Sequence, residues 1–411
     1  MQQSRLITPV LIAGSLILIV SFGVRASFGL FQLPIAEQFG WPRTEFSLAI
    51  AIQNLAWGVG APIFSAIAER FGDRRAIIAG AVFYAAGLTL SAFAATPEGH
   101  QLLNVLIGFG IAGTGFGVIL AIVGRAASPQ KRSMALGVAT AAGSAGQVIG
   151  PPLAEALLAV MSWSGVFVVF AAAVLGTLLA LPALRGEVRA GPVAVEEPMG
   201  VVLGRAFRDP SYALIFLGFF SCGYQLGFIT AHFPAFITEV CEPIAPGSLL
   251  ASLGITTTSA LGAIAIAVIG VANIGGTVLA GALGQRYRKK YLLAQIYLGR
   301  TVISAAFILA PMTPASVLVF SALMGTLWLA TVPLTSGLVA QIYGARYMGT
   351  LYGFVFLSHQ IGSFIGIWLG GALYDLYGAY DIVWWVGVGV GLLSALIQLP
   401  IRERPANLQP A

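Results

Sequence analysis

The stretch Ser65-Ala66-Ile67-Ala68-Glu69-Arg70-Phe71-Gly72-Asp73-Arg74-Arg75 and the stretch Gly281-Ala282-Leu283-Gly284-Gln285-Arg286-Tyr287-Arg288-Lys289-Lys290 decide how this chain is read. Each lies between two long apolar runs, begins with a small residue and ends in a basic cluster. A weak internal repeat of this kind is expected when two parallel halves form one membrane bundle. The composition around the repeat agrees. Of 411 residues, 58% are hydrophobic and 9% charged, against about 25% charged in a soluble domain. Runs of roughly 20 apolar residues recur, each long enough to cross a hydrocarbon core as a helix. The 51 glycines read as close-packing positions between such helices.

The runs place spans near 7–34, 45–68, 75–95, 101–125, 133–159 and 163–183, then near 211–237, 253–283, 291–311, 315–341, 349–373 and 382–400. The expected fold is therefore all-α integral membrane, with twelve transmembrane helices in two six-helix bundles. Residues 1–184 form the N-terminal bundle, 185–209 a cytoplasmic connector and 210–411 the C-terminal bundle. The Ser/Thr-rich start of the run after Leu249 reads as an external loop leading into span eight. The first run is too long for a signal-peptide core and reads as a retained span.

Orientation follows from Lys and Arg. With the N-terminus inside, 18 of the 21 basic residues fall on cytoplasmic segments. Only Arg43 is external, and Arg25 and Arg300 lie inside spans. Acids such as Glu37, Glu45, Glu98, Glu239 and Asp381 mark the external side. Both termini are thus expected in the cytoplasm and the chain in a cell inner membrane.

Ionisable groups inside spans are costly and therefore informative. Arg25, in span one, either binds a substrate carboxylate or pairs with Glu155 or helix carbonyls. Arg300, in span nine, reads first as a packing residue. His359 in span eleven, His232 in span seven and Glu155 in span five are candidate proton sites, because imidazoles and buried carboxyls titrate near neutral pH. Uncharged polar residues near mid-depth are Gln53, Asn54, Gln147, Tyr224, Gln225, Asn273, Trp328 and Gln360. Each is either a substrate contact or interhelical glue.

The loop residues Glu69, Arg70, Gly72, Arg74 and Arg75 resemble the signature between spans two and three of the major facilitator superfamily, with Ser65 in place of its first Gly. The segment Gly146-Gln147-Val148-Ile149-Gly150-Pro151-Pro152 resembles that family's span-five glycine-proline pattern. The resemblance covers essentially the whole chain. Within the family, Gly23-Val24-Arg25-Ala26-Ser27-Phe28-Gly29 and Ser358-His359-Gln360-Ile361-Gly362 look most like bacterial relatives of monocarboxylate and oxalate/formate transporters. Arg25 stands where those often carry Lys, and span eight lacks their acid-Arg pair. The resemblance implies that spans 1, 4, 7 and 10 line a central cavity, with help from 2, 5, 8 and 11. That puts Arg25, Asn54, Gln147, Tyr224, Gln225, Asn273, Trp328, His359 and Gln360 forward as substrate contacts. It also implies a latch at Glu69, Arg70, Gly72 and Arg74 that holds one state of a rocking carrier.

The function expected is secondary active transport of a small organic anion, monocarboxylate-like, by alternating access and proton-coupled. Anion exchange is one alternative. Proton-driven export of amphipathic compounds is another, suggested by Phe28, Trp57, Phe116, Tyr224 and Trp328. Partners would be the anion, protons and the lipid bilayer, with the chain working as a monomer. Nothing points to nucleic acid, since the basic residues are scattered between spans. The sequence holds no GxxxxGK[ST] loop for ATP, no metal-ligand spacing and no paired catalytic acids, so neither a cofactor nor enzymatic activity is expected. Cys222 and Cys241 make no disulfide framework.

Overall fold

The structure, a computed structural model, describes residues 6–41, 43–158, 160–184 and 197–405. Every regular element among them is helical. α1 (Pro9–Ala26) continues through a 3-10 turn at Phe28–Phe31 into α2 (Gln32–Phe39). α3 (Arg43–Phe71), α4 (Asp73–Ser91), α5 (Pro97–Thr114), α6 (Phe116–Ala126), α7 (Arg132–Leu158) and α8 (Trp163–Gly176) follow, with a 3-10 stretch at Thr177–Leu184. Then come α9 (Met199–Arg208), α10 (Pro210–Val240), α11 (Leu249–Ser252) and α12 (Thr258–Arg286). α13 (Lys289–Leu309), α14 (Pro314–Leu327), α15 (Thr331–Tyr343), α16 (Met348–Tyr377) and α17 (Asp381–Gln398) complete the chain.

Among the described residues, ten stretches are long and apolar enough to cross a membrane, with Pro97–Ala126 and Pro314–Tyr343 each counted as one. α4 and α7 are outside that set. α4 opens on Asp73, Arg74 and Arg75, and α7 carries Gly, Ala, Ser and Thr where other spans carry Leu and Ile. Both still pack inside the bundle, α4 on α5 and α7 on α1 and α12. The run after Leu249 divides as its Ser/Thr content suggested. One short turn, α11, precedes α12, whose N-cap Thr257 accepts from Ala260 N–H. The polar connector contains a helix that composition did not reveal, α9, with Val202 and Ala206 buried. Arg185 and Arg189 lie outside the described residues.

Glycines set how closely the helices approach, and they do so in two matching places. A Cβ on Gly146 would lie 2.2 Å from the Ile19 carbonyl oxygen, and one on Gly150 would lie 2.1 Å from that of Gly23. These contacts seat α7 on α1. In the second half, Cβ atoms on Gly362 and Gly366 would meet the carbonyl oxygens of Phe220 and Tyr224 at 2.2 and 2.4 Å, seating α16 on α10. Lipid tails are as apolar as Leu, so such helices associate through close van der Waals packing that only small residues permit.

Two of the long spans are broken. α5 and α6 meet at Gly115, whose extended backbone interrupts the helix. α14 and α15 are separated by Trp328, Leu329 and Ala330. Pro333 lies just beyond and cannot donate a backbone N–H to this turn.

Candidate functional site

Some of the polar groups that the sequence placed near mid-depth meet where the two halves touch. From α1, Arg25 Nη2 donates to Asn54 Oδ1 on α3 at 2.9 Å. The Arg25 guanidinium also lies over the Trp57 ring, 4.8 Å from its centroid. The Arg25 Nε is buried without a hydrogen-bond partner among the described residues. Asn54 is held by its own helix, Nδ2 donating to the Ile50 carbonyl at 2.9 Å. Its main-chain carbonyl accepts from Gln360 Nε2 on α16 at 3.2 Å, a contact that crosses between the halves.

Gln360 Oε1 meets His359 Nδ1 at 3.0 Å. The His359 ring stacks on Phe356 at 5.2 Å and lies 5.1 Å from Phe219. Phe356 in turn packs on Trp57 at 4.6 Å. Thus Arg25, Asn54, His359 and Gln360 form one polar chain, and Trp57, Phe356 and Phe219 form its apolar wall. A cation beside an aromatic face in a low-dielectric site is an attractive place for a carboxylate with a small apolar body. The described ion pairs lie elsewhere, at Arg125–Asp73 and Arg205–Glu197. The Glu155 side chain, offered above as a partner for Arg25 or a proton site, lies outside the described residues.

Other sequence candidates go to different places. Asn273 on α12 bridges the halves at a second point. Its Nδ2 donates to Ser144 Oγ on α7 at 2.7 Å, while its Oδ1 accepts from Leu329 N–H at 2.9 Å. Gln147 is half-buried on α7, one turn from Ser144. Tyr224 and Gln225 face α17 and not the seam. Gln225 Nε2 donates to the Gly387 carbonyl at 3.1 Å, and both side chains line a cavity of about 10 Å³. His232 joins α10 to α16, its Nε2 lying 2.9 Å from the Ile367 carbonyl oxygen. Gln53 pairs with Asn104 on α5 at 2.9 Å. In this conformation Asn273, Gln225, His232 and Gln53 thus tie helices together.

Arg300 is fully buried and caps the break between α14 and α15. Its Nε and Nη2 donate to the Leu327 carbonyl at 3.1 and 2.5 Å, and Nη2 also donates to that of Trp328. A helix C-terminus presents carbonyls with partial negative charge, which a guanidinium complements. Two terms oppose each other in Arg300→Met. A charge inside a span costs about 2.5–3.5 kcal/mol, so its loss brings relief. Two orphaned carbonyls cost about 1–3 kcal/mol each. The unfolding free energy of Arg300→Met is therefore expected to lie between about 1.5 kcal/mol gained and about 3.5 kcal/mol lost, while backbone amide exchange at 327–332 rises.

At the basic end the halves are clasped by one carboxylate. Glu69, in the last turn of α3, accepts from Gly349 N–H at 2.6 Å and from Thr350 N–H at 3.2 Å. It also accepts from the Thr350 hydroxyl. This caps the N-terminus of α16, where the helix dipole favours an anion. Arg70, expected to share the latch, is exposed with its guanidinium over Phe71. Arg74 donates to the Leu181 carbonyl at 3.3 Å within the N-terminal half, and Asp73 pairs with Arg125. Gly72 has φ +104°, a left-handed conformation that suits glycine. In the second copy Gln285 is exposed and no such clasp forms among the described residues. There a Cβ on Gly137 would lie 3.0 Å from Gly281 Cα, and one on Gly281 the same distance from Gly137 Cα. Sequence reasoning missed Thr350, Ser144 and Phe356. Each is an ordinary residue type for a span, and only its partner gives it a role.

The sequence model of the Major Facilitator Superfamily matches residues 14–367. An uncharacterized MFS-type transporter of Bacillus subtilis, YcxA, is 24% identical over 389 residues, covering 91% of this chain and 90% of that protein. Monocarboxylate transporter 13 of Bos taurus is 26% identical over 387 residues, covering 92% and 86%. Among solved structures, the proton:xylose symporter XylE shares the fold with a TM-score of 0.72 at 14% identity, over 97% of this chain and 96% of that one. The E. coli fucose:proton symporter FucP does so at 0.70 and 14%, over 96% and 99%. The family match covers most of the chain, and the helical bundle agrees with it, so the chain belongs to the major facilitator superfamily of membrane transporters.

Proposed function

We propose that this transporter carries a small organic anion, monocarboxylate-like, by proton-coupled alternating access. Its twelve spans would form two six-helix halves, 1–184 and 210–411, with both termini in the cytoplasm of a cell whose inner membrane holds it. The observation that carries the reading is Arg25. It is a cation of the N-terminal half beside the seam, its described side-chain partner is the neutral Asn54, whose carbonyl meets Gln360 of the other half, and its Nε lacks one. A bound carboxylate would complete that set of donors with charge-assisted hydrogen bonds. His359, joined to the same chain through Gln360, would exchange a proton as the anion arrives. Similarity to monocarboxylate transporter 13 supports the substrate class. The Glu69 clasp and the Gly137–Gly281 contact bring the halves together at the basic end; with that end in the cytoplasm, the carrier would be shut on the inside.

The test is binding to purified protein, read as thermal stabilisation, since a ligand that binds only the folded state raises apparent stability. Small carboxylates, neutral solutes and cationic amphiphiles are compared on wild type and Arg25→Ala. A monocarboxylate should stabilise wild type. Arg25→Ala should bind it about tenfold to a hundredfold more weakly, as expected for one lost charge-assisted contact, while remaining folded. If amphiphiles stabilise both proteins equally and acids neither, the anion reading fails and export of amphipathic compounds takes its place.

A further inference from the structure

The basic loop after α12 and the outer face of the C-terminal half together form a feature outside the candidate site. α12 and α13 leave a groove of about 200 Å³ between them, open on one side. Leu279 and Leu283 line it from α12, Leu292 and Ile296 from α13, and Leu327 closes its floor at the break between α14 and α15. The groove is far larger than one water needs, and its lining is apolar apart from Gln295 and Thr326. Leu279 is 53% exposed, so the groove faces whatever surrounds the bundle.

Helical spacing ties this groove to the charged loop. On α12, Leu279, Leu283 and Arg286 follow one another at four and three residues, so they share a face. On α13, Ile296 and Leu292 lead back by fours to Arg288, its N-cap residue. The two apolar stripes thus run out at Arg286 and Arg288, both exposed, with Tyr287 between them 61% exposed. Neither arginine is paired with a carboxylate among the described residues. Gly276, at the deep end of the lining, lies about 15 Å from Arg286 at 1.5 Å per residue.

We propose that this groove seats one acyl chain of an anionic phospholipid whose headgroup phosphate binds Arg286 and Arg288. The charge at one end and the apolar depth behind it fit that occupant. A zwitterionic lipid matches the groove but not the two unpaired cations, and a soluble phosphate matches the cations but not the groove. Tyr287 is the kind of aromatic that settles at the membrane interface. The seated chain would press on the floor at Leu327, whose carbonyl Arg300 holds, so the lipid stabilises the broken geometry of this span. The inference needs only that the chain spans a membrane and is independent of which substrate it carries.

The test uses the full-length protein, delipidated in detergent and offered phosphatidylglycerol or phosphatidylcholine, with bound lipid counted by native mass spectrometry. Wild type should retain one phosphatidylglycerol in preference to phosphatidylcholine. The double variant Arg286→Gln/Arg288→Gln should bind it roughly thirty-fold more weakly, from two lost interfacial charges. Leu279→Trp, which fills the groove and leaves both arginines, should also lose it. Equal retention of the two lipids by wild type, or wild-type binding by the double variant, would overturn the proposal. Loss in the double variant with full binding by Leu279→Trp would overturn the seated chain and leave only a headgroup contact. Either variant that fails to fold is replaced by Arg286→Gln or Leu283→Trp alone, read in the same way.

Discussion

Replacing Glu69 by Ala is expected to open the basic end of the seam between the halves. The carboxylate accepts from two backbone N–H groups and one hydroxyl at the start of α16. Hydrogen bonds to a charged group contribute about 1.5–3 kcal/mol each. Glu69 is only half-buried, and water replaces part of the contact once the seam opens. A net loss of about 2–3 kcal/mol remains, which shifts the closed-to-open ratio roughly 30- to 150-fold. Spin labels on the exposed Arg75 and Gln285, one in each half, would read this as a new long-distance population. Glu69→Gln keeps an acceptor and should fall between wild type and Glu69→Ala. An unchanged distance distribution in Glu69→Ala would mean that the clasp does not hold the state.

Gly223→Val should be the most damaging single change in the C-terminal half. A Cβ at this position would sit 1.7 Å from the His359 carbonyl oxygen, so two backbones must part. Overpacking typically costs about 1–3 kcal/mol, and the upper end applies where the obstacle is main chain. The displaced residue is His359 itself, so ligand binding should fall with stability. Gly389→Ala is the control, since nothing lies within 4 Å of its Cβ position. It should be neutral or slightly stabilising, because Ala favours the helix by about 1 kcal/mol. If Gly223→Val melts like wild type and still binds ligand, the close approach of α10 and α16 is not needed.

Much of this was legible in the sequence because charge and glycine are rare signals in an apolar chain. Glu69 stood out as an acid at a span end, and Arg25 as a cation far from any loop. Gly146 and Gly150 announced a close helix pair by their spacing. Faces were not legible. A helix that is apolar all round carries no stripe to orient it, so Tyr224 and Gln225 could not be separated from Asn54 and Gln360 by depth alone. Their partners, on α17 in one case and across the seam in the other, exist only in the folded bundle. The break at Trp328–Ala330 was equally hidden, since no glycine marks it. What fixes it is Arg300, which is 28 residues upstream of Trp328 in sequence and touches it in space.

The two edges of the seam at the basic end are made of different materials. On one edge a carboxylate grips a helix terminus, and on the other bare backbones lie against each other at Gly137 and Gly281. Ions in solution weaken the first and leave the second untouched. In a carrier whose halves rock, the first would be the edge that lets go and the second the pivot. Salt should shorten the dwell time of the shut state without moving the axis about which the halves turn.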